Sequence, residues 1–146
     1  MRAFRALLCA TLFTQACWSV YPGELHVLAR VAPDVTVPPG ASLSLVAGPQ
    51  GQATIATVTS GDYSTFAQFQ TTAPESYPAT LRFLVDSPPP DDQGPLEVTA
   101  FLLPTQGASE VLASARTSTT YDGDEIELGD NCIADVDLTL RRGSNP

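Results

Sequence analysis

The feature that most constrains the fold is an alternation of apolar and polar residues at a period of two. Its clearest stretch lies near the C-terminal end, where Ala134, Val136, Leu138 and Leu140 alternate with Asp135, Asp137, Thr139 and Arg141. Successive side chains of a strand point to opposite faces, so this stretch predicts a strand with one buried and one solvated face. A shift of one residue would bury both aspartates, which fixes the register.

Comparable segments recur along the chain. They cover residues 25–31, 43–45, 53–59, 63–71, 81–85, 96–102 and 111–115, with proline and glycine clusters between most of them. In the segment from 96 to 102, Leu96, Val98, Ala100 and Leu102 share the inward face, and Glu97 and Thr99 lie opposite. About seven to eight strands separated by turn residues predict an all-β chain. We expect a single antiparallel β-sandwich, immunoglobulin-like or transthyretin-like in architecture.

The first seventeen residues have the order of an export signal. Arg2 and Arg5 give a positive start, residues 6–13 form an apolar run, and the small residue Ala16 precedes Cys17. The run is far shorter than the roughly 20 apolar residues of a membrane-spanning helix. We therefore expect residues 1–16 to be a signal peptide.

A cysteine directly after the expected cleavage point resembles the lipobox of bacterial lipoproteins, in which the cysteine is lipidated and becomes the mature N-terminus. The resemblance implies lipidation at Cys17 and attachment to a membrane. Trp18 rather than Asp follows the cysteine, which implies the outer membrane, facing the periplasm or the cell surface. Thr14 and Gln15 differ from the usual lipobox residues, so ordinary cleavage and a soluble exported protein form the first alternative. An intracellular protein with a chance apolar start is the second.

The chain after the signal is long enough for one domain with one core. We expect a lipid-anchored tether over residues 17–24, the sandwich over 25–142 and a disordered tail over 143–146. Of seven basic residues, all arginine, two lie in the signal, so five remain against sixteen acidic residues. This charge opposes binding to nucleic acid. The expected partners are the membrane, through the lipid, and possibly another envelope protein.

Few residues suggest chemistry. His26, the one histidine, falls on the solvated face of its segment. Cys132 fits a small buried residue at a strand end, and a disulfide with Cys17 is the alternative if that cysteine carries no lipid. There is no CxxC pair, G-x-S-x-G elbow, Walker A loop or G-x-G-x-x-G motif. The sequence therefore predicts neither an enzyme nor a cofactor.

An acidic stretch is the one candidate for metal binding. Its members are Asp122, Asp124, Glu125, Glu127 and Asp130, followed by Asp135 and Asp137 in the last strand. Calcium takes six to eight oxygen ligands, often from carboxylates on a loop. Gly123 interrupts the EF-hand order. A solvated acidic loop is the favoured interpretation, and a weak calcium site over residues 122–130 is the alternative.

Three strand-like segments, residues 79–85, 94–101 and 135–142, are similar to those of lipoproteins of unassigned function from high-GC bacteria, myxobacteria in particular. Residues 37–45, Val-Pro-Pro-Gly-Ala-Ser-Leu-Ser-Leu, resemble the strand-entry segment of lipoproteins related to type III secretion pilotins. The first resemblance implies a cell-envelope lipoprotein that acts as a non-enzymatic binding or structural module. The alternatives are a pilotin-like secretion accessory, which the second resemblance implies, and a soluble periplasmic calcium-binding sandwich.

Overall fold

The computed structural model describes residues 23–51, 53–56, 67–85, 95–119 and 132–143, and they form an all-β fold. The seven strands are β1 (Gly23–Val31), β2 (Ser42–Pro49), β3 (Ala67–Thr72), β4 (Ala79–Val85), β5 (Leu96–Leu103), β6 (Ala113–Thr119) and β7 (Cys132–Leu140). The predicted fold class and the lower limit of the predicted strand number are confirmed. Within the described residues, no helix has the length and apolarity to span a membrane.

The strands form two sheets, one with the order β4-β1-β7 and one with the order β3-β2-β5-β6. Of the five strand pairs among the described residues, four are antiparallel, and β1 and β7 run parallel. Alternation gives no information on strand direction, which is why the sequence did not reveal the parallel pair. The strand order also differs from that of an immunoglobulin constant domain, in which the first, second, fifth and fourth strands form one sheet.

The main core lies between the two sheets and is filled by the predicted inward faces. Leu25 and Val27 of β1 are fully buried, as are Leu43 and Leu45 of β2. From β5 and β7, the core receives Leu96, Val98, Ala100, Leu102, Val136, Leu138 and Leu140. Asp135 and Asp137 of β7 are exposed. The register predicted for the last strand is therefore confirmed.

A second apolar cluster lies on the outer face of the four-stranded sheet. Val46, Ala53, Phe101 and Leu103 are buried there, with Ile55, Ala108 and Val111 packed against them. Glu97 and Thr99 share this face of β5, so they lie opposite the main core as predicted, but they too are buried. The run of four apolar residues from 100 to 103 is typical of a strand that is covered on both faces.

Strand boundaries differ from the sequence prediction in several places, and β2, for example, runs to Pro49 rather than ending at Leu45. Gly23 and Glu24, which we assigned to the tether, belong to β1. Residues 53–56 lie in none of the seven strands, and the rest of the 53–59 segment is outside the described residues. Val111 precedes β6 and packs instead against the second apolar cluster.

Candidate binding surfaces

The outer face of the three-stranded sheet carries the histidine predicted to face solvent. The parallel register of β1 and β7 places His26 directly beside Asp135. The His26 Nδ1 atom lies 3.2 Å from Asp135 Oδ1, and its Nε2 atom lies 3.7 Å from Glu24 Oε2. His26 is half-buried between these two carboxylates, and the outward placement predicted from the sequence is confirmed.

An ion pair on the same face joins Arg30 to Asp137. The arginine donates from Nε to Oδ1 at 3.1 Å and from a terminal nitrogen to Oδ2 at 3.2 Å. The hydrogen bond and the charge of Asp137 raise the pKa of Arg30. Both side chains are exposed, so water and salt screen the pair. The Arg30–Asp137 ion pair and the His26–Asp135 contact both connect neighbouring strands across a solvated face.

A shallow cleft of about 320 Å³ lies between these contacts, lined by His26, Leu28, Thr80, Asp135, Val136 and Asp137. Of these residues, His26 and Asp135 contact each other, and Asp137 contacts Arg30. Across the described ranges, no three His, Cys, Asp or Glu side chains come close enough to hold a metal ion. The cleft therefore offers a mixed-charge surface for a polar partner.

The outer face of the four-stranded sheet contains an ion pair with a buried carboxylate, which sequence reasoning missed. Glu97 is only 2% exposed, and its Oε1 atom lies 3.3 Å from Arg116 Nε. The same oxygen accepts a hydrogen bond from the Gly51 backbone N–H at 3.1 Å, and Arg116 donates to the Ala53 carbonyl at 3.3 Å. Gly51 has a φ of 78°, which glycine adopts without steric cost. The pair thus attaches the chain after β2 to the sheet.

A signal for this pair was present in the sequence. Glu97 is the one charged residue in the strand segment from 96 to 103, where every other residue is apolar or threonine. An isolated acid in such a strand indicates a partner of opposite charge on a neighbouring strand. The sequence alone does not identify Arg116 as this partner, because the identification depends on the β5–β6 register. That register places Arg116 opposite Thr99 and diagonal to Glu97.

Within the part of the chain that the structure describes, three buried hydroxyl groups have no hydrogen-bond partner: those of Ser44, Thr99 and Tyr77. Ser44 and Thr99 lie on the outer face of the four-stranded sheet, near the second apolar cluster. Tyr77 lies in the connection between β3 and β4, and burial raises the pKa of its phenol. An unpaired buried hydroxyl destabilises a fold, so these groups mark sites where stability can be gained by substitution.

One end of the sandwich is formed by four segments that we call the loop end: residues 32–41, 73–78, 104–112 and 141–143. Two clefts lie there. One of about 370 Å³ is lined by polar groups that include Gln70 and Gln106, whose amides are 3.4 Å apart. The other, of about 340 Å³, is lined by Pro38, Pro39 and Pro74 among others. The loop end is therefore a second candidate binding surface.

The remaining predicted site residues are not brought together by the described structure. Cys17 and the five calcium candidates, Asp122, Asp124, Glu125, Glu127 and Asp130, lie outside the described residues. Cys132 is the first residue of β7 and pairs with Glu24 of β1, so its placement at a strand end is confirmed. Of the last members of the acidic stretch, Asp135 contacts His26 and Asp137 forms an ion pair with Arg30.

No family model matches the chain, and neither a curated protein nor a solved structure shows significant similarity to it. The resemblances to bacterial lipoproteins and to pilotins therefore stay predictions.

Proposed function

We propose that the chain is a cell-envelope lipoprotein, anchored through Cys17, whose β-sandwich is a non-enzymatic binding or structural module. The observation that carries this proposal is the short distance in sequence between the expected anchor and the fold. β1 begins at Gly23, six residues after Cys17. Six residues span at most about 22 Å when fully extended. A lipid on Cys17 would therefore hold the sandwich close to a membrane surface.

The strand pairing decides which end would face away from that membrane. Gly23 at the start of β1 pairs with Val85 at the end of β4, and the next residue pairs with Cys132 at the start of β7. The opposite end of the sandwich is the loop end, with its two clefts. Anchoring at Cys17 would present these loops to partners in the periplasm or outside the cell, and we propose another envelope protein as the partner.

The architecture proposed for this module is the transthyretin-like one. Of the two architectures that the alternation allows, the immunoglobulin order would place β1 beside β2. Here β1 lies between β4 and β7, and this order supports the transthyretin-like architecture.

The test of the proposal is fractionation of cells that produce the Cys17→Ser variant. The variant should move from the membrane fraction to the soluble fraction, because it has no thiol to lipidate. Cys132→Ser is the matched control and should stay with the membranes. If Cys17→Ser and the unmodified chain fractionate alike, the lipoprotein proposal is wrong.

The alternative of a soluble calcium-binding sandwich is tested separately. Binding of calcium to the folded chain would raise its melting temperature at millimolar Ca²⁺. The variant Asp124→Asn combined with Glu127→Gln would remove two of the proposed ligands and should abolish that rise. No rise in the unmodified chain would contradict this alternative.

A further inference from the structure

The first and the last of the seven strands are neighbours and run in the same direction. β1 and β7 pair in parallel over eight residue pairs, from Glu24 beside Cys132 to Val31 beside Leu140. The ladder continues into the loop end, where the Ala32 N–H donates to the Leu140 carbonyl at 2.9 Å. β1 therefore starts at the end of the sandwich opposite to the loop end, which we call the anchor end, and β7 finishes at the loop end.

A force that pulls the start of β1 away from the end of β7 acts along both strands. Backbone hydrogen bonds run between neighbouring strands, not along them. Such a force slides β1 past β7 and stretches the whole ladder at once, whereas a force across the strands opens the residue pairs one after another. Since forced unfolding is governed by the barrier to unfolding, the sliding geometry resists force more strongly.

β1 is held on both of its edges. Its second neighbour is β4, with which it forms seven antiparallel residue pairs that begin with Gly23 and Val85. The inward side chains of Leu25 and Val27 are fully buried in the main core. Movement of β1 towards the anchor end would therefore break two ladders and draw buried side chains out of the core.

Side-chain contacts on the outer face join the same two strands. Arg30 of β1 forms its ion pair with Asp137 of β7, and His26 of β1 contacts Asp135 of β7. Both contacts lie across the line along which β1 would slide. The β1–β7 pair is thus connected through its backbone, through the core and through its solvated face.

The end of β7 is also tied to the larger sheet. Arg141, which directly follows β7, exchanges two backbone hydrogen bonds of 3.0 Å with Ser114 of β6. Tension on residues 141–143 of the loop end is therefore shared between both sheets. It does not fall on β7 alone.

We propose that the sandwich is a mechanical link, which resists tension between its membrane anchor and a partner protein held at the loop end. The direction of the force rests on the proposed function: a lipid on Cys17 would pull on the start of β1, and a partner at the loop end would pull on residues 141–143. The resistance itself depends on the parallel pairing of β1 with β7.

The experiment is single-molecule force spectroscopy of the full-length chain, produced without export so that Cys17 keeps its thiol. Cys9→Ser and Cys132→Ser leave Cys17 as one attachment point. The second attachment point is Asn145→Cys, beyond the loop end, or Asp135→Cys, which lies near the start of β7 and whose native side chain is 83% exposed. The first pair of points slides β1 past β7, and the second opens the ladder from the anchor end.

The unfolding force with Asn145→Cys should be at least about twofold higher than with Asp135→Cys, because the whole ladder must yield before β1 moves. Equal forces in the two geometries, or a lower force with Asn145→Cys, would overturn the proposal.

Val27→Ala and Val98→Ala are matched variants that locate the resistance. Both valines are fully buried in the main core, but Val27 lies beside Val136 in the β1–β7 pair and Val98 belongs to β5. Urea unfolding should show a loss of stability for each. Only Val27→Ala should lower the force between Cys17 and Asn145→Cys, because contacts that stay intact while β1 slides do not contribute to the barrier. A drop of the same size for Val98→Ala, or no drop for Val27→Ala, would mean that β1–β7 is not the resisting element.

The two proposals fail in different ways. The force measurements use the chain without its lipid, so equal forces in the two geometries would overturn the mechanical link and leave the proposed anchor intact. If Cys17→Ser and the unmodified chain fractionate alike, the membrane is not the source of the force, and both proposals are wrong.

Discussion

The outer faces of the two sheets carry the same kinds of residues in opposite surroundings. On the three-stranded sheet, Arg30 and Asp137 form an ion pair in solvent. On the four-stranded sheet, Arg116 pairs with Glu97, which is buried beneath the chain that follows β2. Both pairs join neighbouring strands of one sheet. They differ in how far the protein shields the acidic side chain from water. This shielding decides how much each pair contributes to stability.

Alternation therefore identifies which residues lie on the outer face of a sheet, but not whether other parts of the chain bury that face. Glu97 and Asp137 both occupy polar positions in alternating strands. Water solvates the carboxylate of Asp137 if Arg30 is lost, so that pair contributes little. Glu97 has almost no access to water, so the loss of its partner leaves an uncompensated charge inside the protein. Substitutions on the covered and the exposed face should therefore differ in their effect on stability.

The largest effect should come from Leu138, which lies beneath the exposed face in the main core. Leu138→Ala should lower the free energy of unfolding by about 2–5 kcal/mol through lost contacts and a cavity. Leu138→Asp should lower it further, because it buries a charge that has no partner. Urea unfolding of both variants measures the two losses. A smaller loss for Leu138→Asp than for Leu138→Ala would contradict the burial of this position.

A substitution of Thr99 should have an effect of intermediate size, and it should stabilise the protein rather than destabilise it. Its buried hydroxyl has no partner, so Thr99→Val should raise the free energy of unfolding by about 1 kcal/mol. Thr80→Val is the matched control on the exposed face of the other sheet, and it should change stability by less than about 0.5 kcal/mol. Thermal unfolding of the two variants makes the comparison. If Thr99→Val destabilises the protein, its hydroxyl has a partner.

The smallest effect is expected for Asp137→Ala. The residue faces water and its pair with Arg30 is exposed, so the free energy of unfolding should change by less than about 0.5 kcal/mol. Urea unfolding of Asp137→Ala and Leu138→Ala under the same conditions compares the two losses of stability. A loss larger than that of Leu138→Ala would mean that the register of β7 is shifted by one residue or that the aspartates bind an ion.

The sequence was sufficient for the features that depend on local pattern. The inward residues of β1, β5 and β7 follow from the period of two, and so does the exposure of Asp135 and Asp137. The start of β1 at Gly23 was missed by two residues, because strand ends depend on pairing with β4 and β7 rather than on alternation.

Features that depend on contacts distant in sequence could not be predicted. The parallel pairing of β1 and β7 brings His26 beside Asp135, although more than a hundred residues separate them. The ion pair of Glu97 and Arg116 requires both the β5–β6 register and the placement of Gly51. Apolar Phe101 and Leu103 at outward positions of β5 were the local sign that this face is covered.

The difference between the covered and the exposed face is tested most directly by urea unfolding of Arg116→Ala and Arg30→Ala side by side. Arg116→Ala should lower the free energy of unfolding by about 3 kcal/mol, because it leaves the buried Glu97 carboxylate without its cation. Arg30→Ala removes the same side chain from an exposed pair and should lower the free energy of unfolding far less, because water solvates the Asp137 carboxylate that is left. Equal losses for the two variants, or a larger loss for Arg30→Ala, would contradict the account.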